Sequence, residues 1–137
     1  MDAVTSADGT RIAYEQTGSG RRLVLVHGTG LDRNFWELSG VHAALAEHHT
    51  VYAIDGRGRG KSGDADEYDL EREVEDVVEV VESIDETVTL LGHSYGALTA
   101  LEAALHTHNL RGLILYDAFT LEAGLPPLEQ LAGSLQA

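Results

Sequence analysis

Short apolar runs alternate with longer segments of mixed polarity along most of the chain. The apolar runs predict strands at 23–26, 51–54, 88–91 and 113–116, and the first of these is continuously apolar, as in a strand buried on both faces. Apolar positions at helical spacing predict a helix over 70–83, and an Ala- and Leu-rich segment predicts another over 95–105. Strands that alternate with helices favour an α/β fold: a doubly wound, mostly parallel sheet with helices on both faces.

The segment before the first buried run has the pattern of a β-hairpin over 4–17. Asp8-Gly9 supplies the turn, and Ile12 alternates with Tyr14 beyond it. With this hairpin the chain has six predicted strands. One further helix is predicted over 35–48, with four side chains facing the core: Trp36, Val41, Ala44 and Leu45.

The helix predicted over 70–83 is strongly amphipathic, and Asp69 is its expected N-cap. One face is apolar and is expected to pack on the sheet: Leu70, Val74, Val77, Val78, Val81 and Ile84. The acidic side chains between them are expected to face solvent: Glu71, Glu75, Asp76, Glu79 and Glu82.

Charge and composition narrow the classes of partner. The chain has 23 Asp and Glu against 9 Lys and Arg, for a net charge of −14, which argues against nucleic acid and anionic membranes as partners. The single lysine, Lys61, and the acidic balance fit a salt-adapted protein, and an ordinary acidic protein is the alternative. No apolar run approaches a membrane span and no signal peptide is evident, so we expect a cytoplasmic protein. There are no cysteines, which excludes disulfides and thiolate metal sites.

The pentapeptide Gly92-His93-Ser94-Tyr95-Gly96 carries the clearest chemical signal. It lies between a predicted strand and a predicted helix, where a sharp turn holds a serine out as a nucleophile. The Tyr95 N–H would lie at the positive end of the helix dipole, where it can stabilise an oxyanion. A Gly-rich turn with an incidental serine is the alternative.

The Gly-rich loop at 55–63 resembles two nucleotide-binding motifs but fits neither. Gly60-Lys61-Ser62 ends like a phosphate-binding loop, yet the required upstream glycine is Asp55. The spacing Gly58-x-Gly60-x-x-Gly63 matches a dinucleotide fingerprint, yet no helix is predicted to begin there. We therefore expect no nucleotide and no other cofactor.

Three motifs in register resemble the N-terminal part of the α/β-hydrolase family, in its serine-esterase group. They are His27-Gly28 after a buried strand, Asp55-x-Arg57-Gly58-x-Gly60-x-Ser62 after the next, and the Gly-x-Ser-x-Gly motif. All follow predicted strand ends, where ligands bind in such sheets. The resemblance implies a small ester-like substrate and hydrolysis through an acyl-serine intermediate, without a metal.

The resemblance also implies roles for single residues. Ser94 would be the nucleophile, with Gly92 and Gly96 making room for the turn, and the backbone N–H groups of Thr29 and Tyr95 would form the oxyanion hole. His27 and Gly28 would be structural residues beside that hole. Asp117, after the sixth strand, is a candidate acid, and a polar residue at a strand end is the alternative.

The general base is missing from this pattern. The family places its histidine after a later strand, whereas the only histidines beyond Ser94 are His106 and His108, at the far end of the next helix. The sequence thus predicts a single, incomplete domain over 1–137 that stops after about the sixth strand, with a leucine-striped start of a cap at 118–137. The chain would be truncated or one part of a split enzyme, and a catalytically inactive binding module is the alternative. The open sheet edge predicts self-association or a partner chain.

Overall fold

Six strands form one sheet within residues 1–117, the part of the chain that the computed structural model describes. The strands are β1 (Asp2–Thr5), β2 (Arg11–Gly18), β3 (Arg21–Val26), β4 (His49–Ile54), β5 (Val88–His93) and β6 (Leu110–Tyr116). Their order across the sheet is β1-β2-β4-β3-β5-β6. β2 is antiparallel to both β1 and β4, and the pairs β3–β4, β3–β5 and β5–β6 are parallel. The predicted mostly parallel sheet with an N-terminal hairpin is confirmed.

Helices cover both faces of this sheet. They are α1 (Asn34–Leu38), α2 (Val41–Ala46), α3 (Leu70–Glu82) and α4 (Tyr95–Ala104). On one face α3 and α4 enclose the larger apolar core, which includes Val24, Ile54 and Val77. On the other face α1 and α2 cover a smaller core around Leu25 and Trp36. Alternate residues of the central strands therefore reach opposite cores, as in a sheet buried on both sides.

The prediction of one helix over 35–48 is wrong, because the chain breaks at Gly40. That glycine has φ 80°, a left-handed conformation that ends α1 and redirects the chain into α2. The change of direction leaves Ala44 exposed and buries His42, whose Nε2 lies 2.5 Å from the Thr17 hydroxyl. Trp36 is buried, as predicted.

Helix α3 begins where the sequence predicted, since the Asp69 side chain accepts a hydrogen bond from the Arg72 N–H at 3.0 Å. The prediction that Asp76 faces solvent is wrong, because only 3% of it is exposed. Its carboxylate accepts from two nitrogens of Arg57, at 2.7 and 2.8 Å, and from the Ser6 hydroxyl at 2.5 Å. Arg57 also donates to Asp8 at 2.9 Å. The hairpin, the loop after β4 and α3 are thus joined by one buried ionic cluster.

Strand β6 lies at the edge of the sheet and pairs with β5 among residues 1–117. Two of its apolar side chains, Ile114 and Tyr116, are 48% and 60% exposed. The cap predicted at 118–137 lies outside the described residues. Within the described part of the chain, no helix is long and apolar enough to cross a membrane.

Candidate active site

Ser94 occupies a strained turn between β5 and α4. Its φ of 56° and ψ of −121° lie in a region that residues with a side chain rarely adopt. The strain is held by hydrogen bonds on both sides of the turn. The Ser94 N–H donates to the Tyr116 carbonyl at 3.1 Å, and its carbonyl accepts from the Ala97 N–H at 2.9 Å.

The two glycines of the motif are required by close packing around this turn. A β-carbon at Gly96 would collide with the carbonyl oxygens of Val26 and His27, at the end of β3. A β-carbon at Gly92 would lie 2.7 Å from the Ala97 Cα. The beginning of α4 is therefore pressed against β3 and β5, and a side chain at either position would displace it.

The loop after β3 lies directly beside the serine. A β-carbon added at Gly28 would come within 3.2 Å of the Ser94 Cβ, so the loop backbone passes at van der Waals distance. Thr29 follows in this loop, and Tyr95 is the first residue of α4. The Tyr95 N–H has no acceptor within its own helix. The loop and the helix N-terminus thus bring the two candidate oxyanion-hole residues, Thr29 and Tyr95, to the wall of one cavity.

His27 connects two loops and does not bond to Ser94. Its Nε2 accepts from the Gly56 N–H at 2.9 Å, which places the ring proton on Nδ1, where it donates to the Gly28 carbonyl at 2.8 Å. Burial lowers the pKa of His27 from its ordinary value. A neutral imidazole with both nitrogens occupied braces the loop that carries Thr29.

Asp55 has a similar bracing role and is fully buried. It forms an ion pair with the Arg33 guanidinium at 2.5 Å and accepts from the backbone N–H groups of Arg33 and Lys61, each at 2.9 Å. The Ser62 hydroxyl donates to the Asp55 carbonyl at 2.6 Å. The polar residues of the Gly-rich loop therefore fix the loop itself, and no helix follows it before α3.

A cavity of about 370 Å³ opens beside the loop after β3, the loop that carries Thr29. Its walls come from that loop, the loop after β4, α3 and α4, and its polar lining includes Thr29, Arg59, Tyr68, Glu73 and Tyr95. Ser94 lies next to the cavity and is not among its lining residues. The volume is within the roughly 300–1,000 Å³ typical of small-molecule sites.

Glu73 is the feature of this cavity that sequence reasoning missed. Burial, and then the nearby charge of Asp76, raises its pKa to about 7. The same cavity raises the pKa of Tyr95, through burial and through the charge of Glu73. Glu73 follows Arg72 among the charged residues of α3, and nothing in that pattern distinguishes a carboxyl that lines a cavity from one that faces solvent, so the sequence signal was absent.

None of the seven histidines of the chain is hydrogen-bonded to the Ser94 hydroxyl, and all seven lie within the described residues. His106 and His108 are exposed beyond the end of α4, as predicted. His93 precedes the serine, but its ring stacks between Phe35 and Tyr116, with ring centroids at 4.5 and 5.3 Å. Asp117 is exposed at the end of β6 with a left-handed φ of 51°. Among residues 1–117, no cluster of His, Asp and Glu could hold a metal ion.

Residues 23–136 match the model of the Alpha/beta hydrolase family. An α/β hydrolase from Sphaerobacter thermophilus is 34% identical with a TM-score of 0.79, over 96% of this chain and 52% of that one. An esterase from Exiguobacterium antarcticum is 34% identical with a TM-score of 0.77, over 91% and 49%. The pimeloyl-(acyl-carrier protein) methyl ester esterase of Aeromonas hydrophila is 37% identical over 75% of this chain and 40% of its own length. The chain spans less than half the length of such curated relatives, 28% to 44%. The chain belongs to the alpha/beta hydrolase family.

Proposed function

We propose that this chain supplies the nucleophile and the oxyanion hole of a serine hydrolase that transfers the acyl group of a carboxylic ester to water. The observation that carries the proposal is the strained backbone of Ser94, at φ 56°, held between a helix N-terminus and the loop of Thr29. Strain of this kind costs about 1–3 kcal/mol and persists where the surroundings enforce it, often at functional sites. The esterases among its relatives support the same reaction class.

In the proposed reaction the Ser94 Oγ attacks the ester carbonyl carbon, and the carbonyl oxygen becomes an oxyanion. The backbone N–H groups of Thr29 and Tyr95 donate to that oxygen, and each such donor is worth roughly 3 kcal/mol in the transition state. The bond to the alcohol then breaks, and the alcohol leaves with the proton that came from the serine. Water attacks the acyl-serine, releasing the acid and restoring the hydroxyl.

The proton acceptor in this scheme comes from outside the chain. All seven histidines are placed in the structure, and none is bonded to Ser94. The relatives are about twice as long, so we propose that a further segment, in the same polypeptide or in a partner, brings the base. The outer edge of β6 is unpaired within residues 1–117 and is the proposed point of attachment, because such an edge accepts another strand. Ile114 and Tyr116 of the same strand are exposed.

The test is acylation of Ser94 by p-nitrophenyl acetate, followed by intact mass, with and without added imidazole. Without imidazole we expect very slow turnover. In the absence of a base, an oxyanion hole and substrate binding accelerate hydrolysis only roughly 10³–10⁴-fold over the reaction in water. Imidazole should restore an acetyl adduct that Ser94→Ala lacks. Equal labelling of both proteins would contradict the proposal and favour a catalytically inactive binding module.

Asp117 provides a second check on the missing base. A triad acid acts by orienting an imidazole, and no described imidazole is bonded to Asp117. We therefore expect Asp117→Asn to leave the residual rate of the isolated chain nearly unchanged. A large loss in a variant with unaltered circular dichroism would show that Asp117 already acts in this chain.

A further inference from the structure

The cavity beside the loop after β3 has one acidic group in its wall that the proposed acyl transfer does not use. Glu73 projects from α3 into the space shared with Tyr95 and Thr29. It is half-buried, and none of the described residues forms a salt bridge with it. The adjacent acids on α3, Glu75 and Asp76, are in contrast paired with Arg72 and Arg57.

Two charged residues of the cavity lining, Glu73 and Arg59, form no salt bridge within residues 1–117, and Glu73 is the more buried of the two. Arg57 also lines the cavity, but its guanidinium is saturated by the carboxylates of Asp76 and Asp8 and by the Glu67 carbonyl. Arg59 is exposed at the rim, so water screens its charge. Two guanidinium groups thus face three carboxylates, and the local sum is one negative charge.

The rest of the lining is suited to a short apolar chain. Val26, Ile54 and Val77 form the apolar wall. Tyr68 and Tyr95 are among the polar lining residues, and the Tyr95 hydroxyl lies close to Glu73. An ammonium donates up to three hydrogen bonds and accepts none, which matches a carboxylate flanked by hydroxyl oxygens. A carboxylate ligand would instead meet Glu73 and be repelled.

We infer that this cavity binds a small organic cation, an ammonium group on a short apolar chain, with Glu73 as its counter-ion. Resting on the proposed function, the inference names the substrate class: an ester whose acyl or alcohol part carries an ammonium group. Tyr95 connects the cavity to the proposed nucleophile, because it lines the cavity and directly follows Ser94 in the chain.

The titration of Glu73 gives this inference a pH signature. Its pKa is raised to about 7, so the carboxyl is neutral in mild acid and charged in mild base. The groups that face it are Asp76 on α3, Arg57 and Arg59 on the loop after β4, and the Tyr95 hydroxyl on α4. The pKa values of Arg57 and Tyr95 are raised above their ordinary values, so neither group loses its proton between about pH 5.5 and 8.5. Cation binding should therefore strengthen across that interval.

The experiment compares three probes of equal chain length: pentylammonium, pentanol and pentanoate. Each is titrated into the chain in about 1 M NaCl, where screening to roughly 3 Å suppresses binding to the acidic surface. Affinity is read from the backbone amide shifts of Thr29 and Tyr95. At about pH 8.5 we expect pentylammonium to bind roughly tenfold more tightly than pentanol, and pentanoate most weakly. At about pH 5.5 the advantage over pentanol should shrink.

The variant Glu73→Gln keeps the side-chain shape and should remove the preference for ammonium at both pH values. Glu71→Gln is the matched control, since it changes an exposed glutamate of the same helix and should leave the preference unchanged. Equal affinities of the wild-type chain for the three probes, or a preference that survives Glu73→Gln, would overturn the inference. The wild-type pH series decides the question even if that variant does not fold. No covalent bond is made at Ser94 in these titrations. A failure of the acylation test would therefore leave the binding result valid, and a failure of the binding test would leave the acylation result valid.

Discussion

Replacing Asp76 by asparagine tests whether the buried ionic cluster holds the hairpin, the loop after β4 and α3 together. The Arg57 side chain is fully buried and that of Asp76 is 4% exposed. Three hydrogen bonds reach the Asp76 carboxylate, from Arg57 twice and from Ser6. The amide of Asp76→Asn keeps one acceptor oxygen but removes the charge, so Arg57 retains Asp8 as its only carboxylate partner among the described residues.

The expected cost follows from this geometry. Removing one partner of a buried pair costs about 3–5 kcal/mol, because the other charge is left buried without compensation. Asp8 remains as a partner, so we expect the lower end, about 3 kcal/mol. The matched control is Glu75→Gln on the same helix. Glu75 pairs with Arg72, and their side chains are 29% and 32% exposed, respectively. Arg72 also keeps its pair with Glu67, so we expect the free energy of unfolding to fall by less than about 1 kcal/mol.

The measurement is urea unfolding followed by far-ultraviolet circular dichroism, at neutral pH and molar salt for all three proteins. A loss for Asp76→Asn about three times that of Glu75→Gln would support the argument. Equal losses would refute it, because they would mean that burial of Arg57 and Asp76 does not distinguish their pair from a surface pair.

Three further outcomes are expected. The pKa of Glu73 is raised from 4.5 to about 7, so folding favours its neutral form, and the stability that this gives is lost as pH rises through that range. Glu73→Gln should therefore match the wild-type melting temperature near about pH 4 and exceed it near about pH 8. The urea midpoint of Ser94→Gly should be at least as high as that of Ser94→Ala, because glycine adopts a φ of 56° without strain. If the protein is salt-adapted, its helical circular dichroism signal should rise between dilute buffer and molar salt. Light scattering should then give a mass larger than that of a monomer, because the outer edge of β6 associates. A monomer that is equally structured in dilute buffer would contradict both the salt-adapted interpretation and the open-edge proposal.

The elements that depend on local chemistry could be predicted from the sequence. The hairpin turn needs a positive φ at Gly9, and the motif around Ser94 needs a strand before it and a helix after it; both are readable within a few residues. The break at Gly40 was missed because apolar positions continue on both sides of it. A glycine in a helical pattern is tolerated or ends the helix, and the packing against the sheet decides which.

The polar side of α3 could not be predicted for a different reason. Periodicity separates apolar from polar positions but does not say what packs over the polar ones. Asp76 bonds to Arg57, 19 positions away, and to Ser6, 70 positions away. Glu73 lines a cavity whose other walls come from three distant segments. The surroundings of Asp76 and Glu73 form only when the folded sheet places the hairpin and the loops against α3.

Strand β6 directly contacts the turn that carries Ser94, the proposed nucleophile. The Tyr116 carbonyl accepts from the Ser94 N–H, and the Tyr116 ring stacks on His93, so the last residue of β6 holds the strained turn from its β5 side. A strand with one neighbour is ordered less firmly than a strand with two, because half of its ladder is exchanged with water. Pairing at the outer edge of β6 would therefore also fix the backbone of Ser94. This connection is the physical reason to propose that a segment which brought the base would also complete the geometry of the turn that carries Ser94.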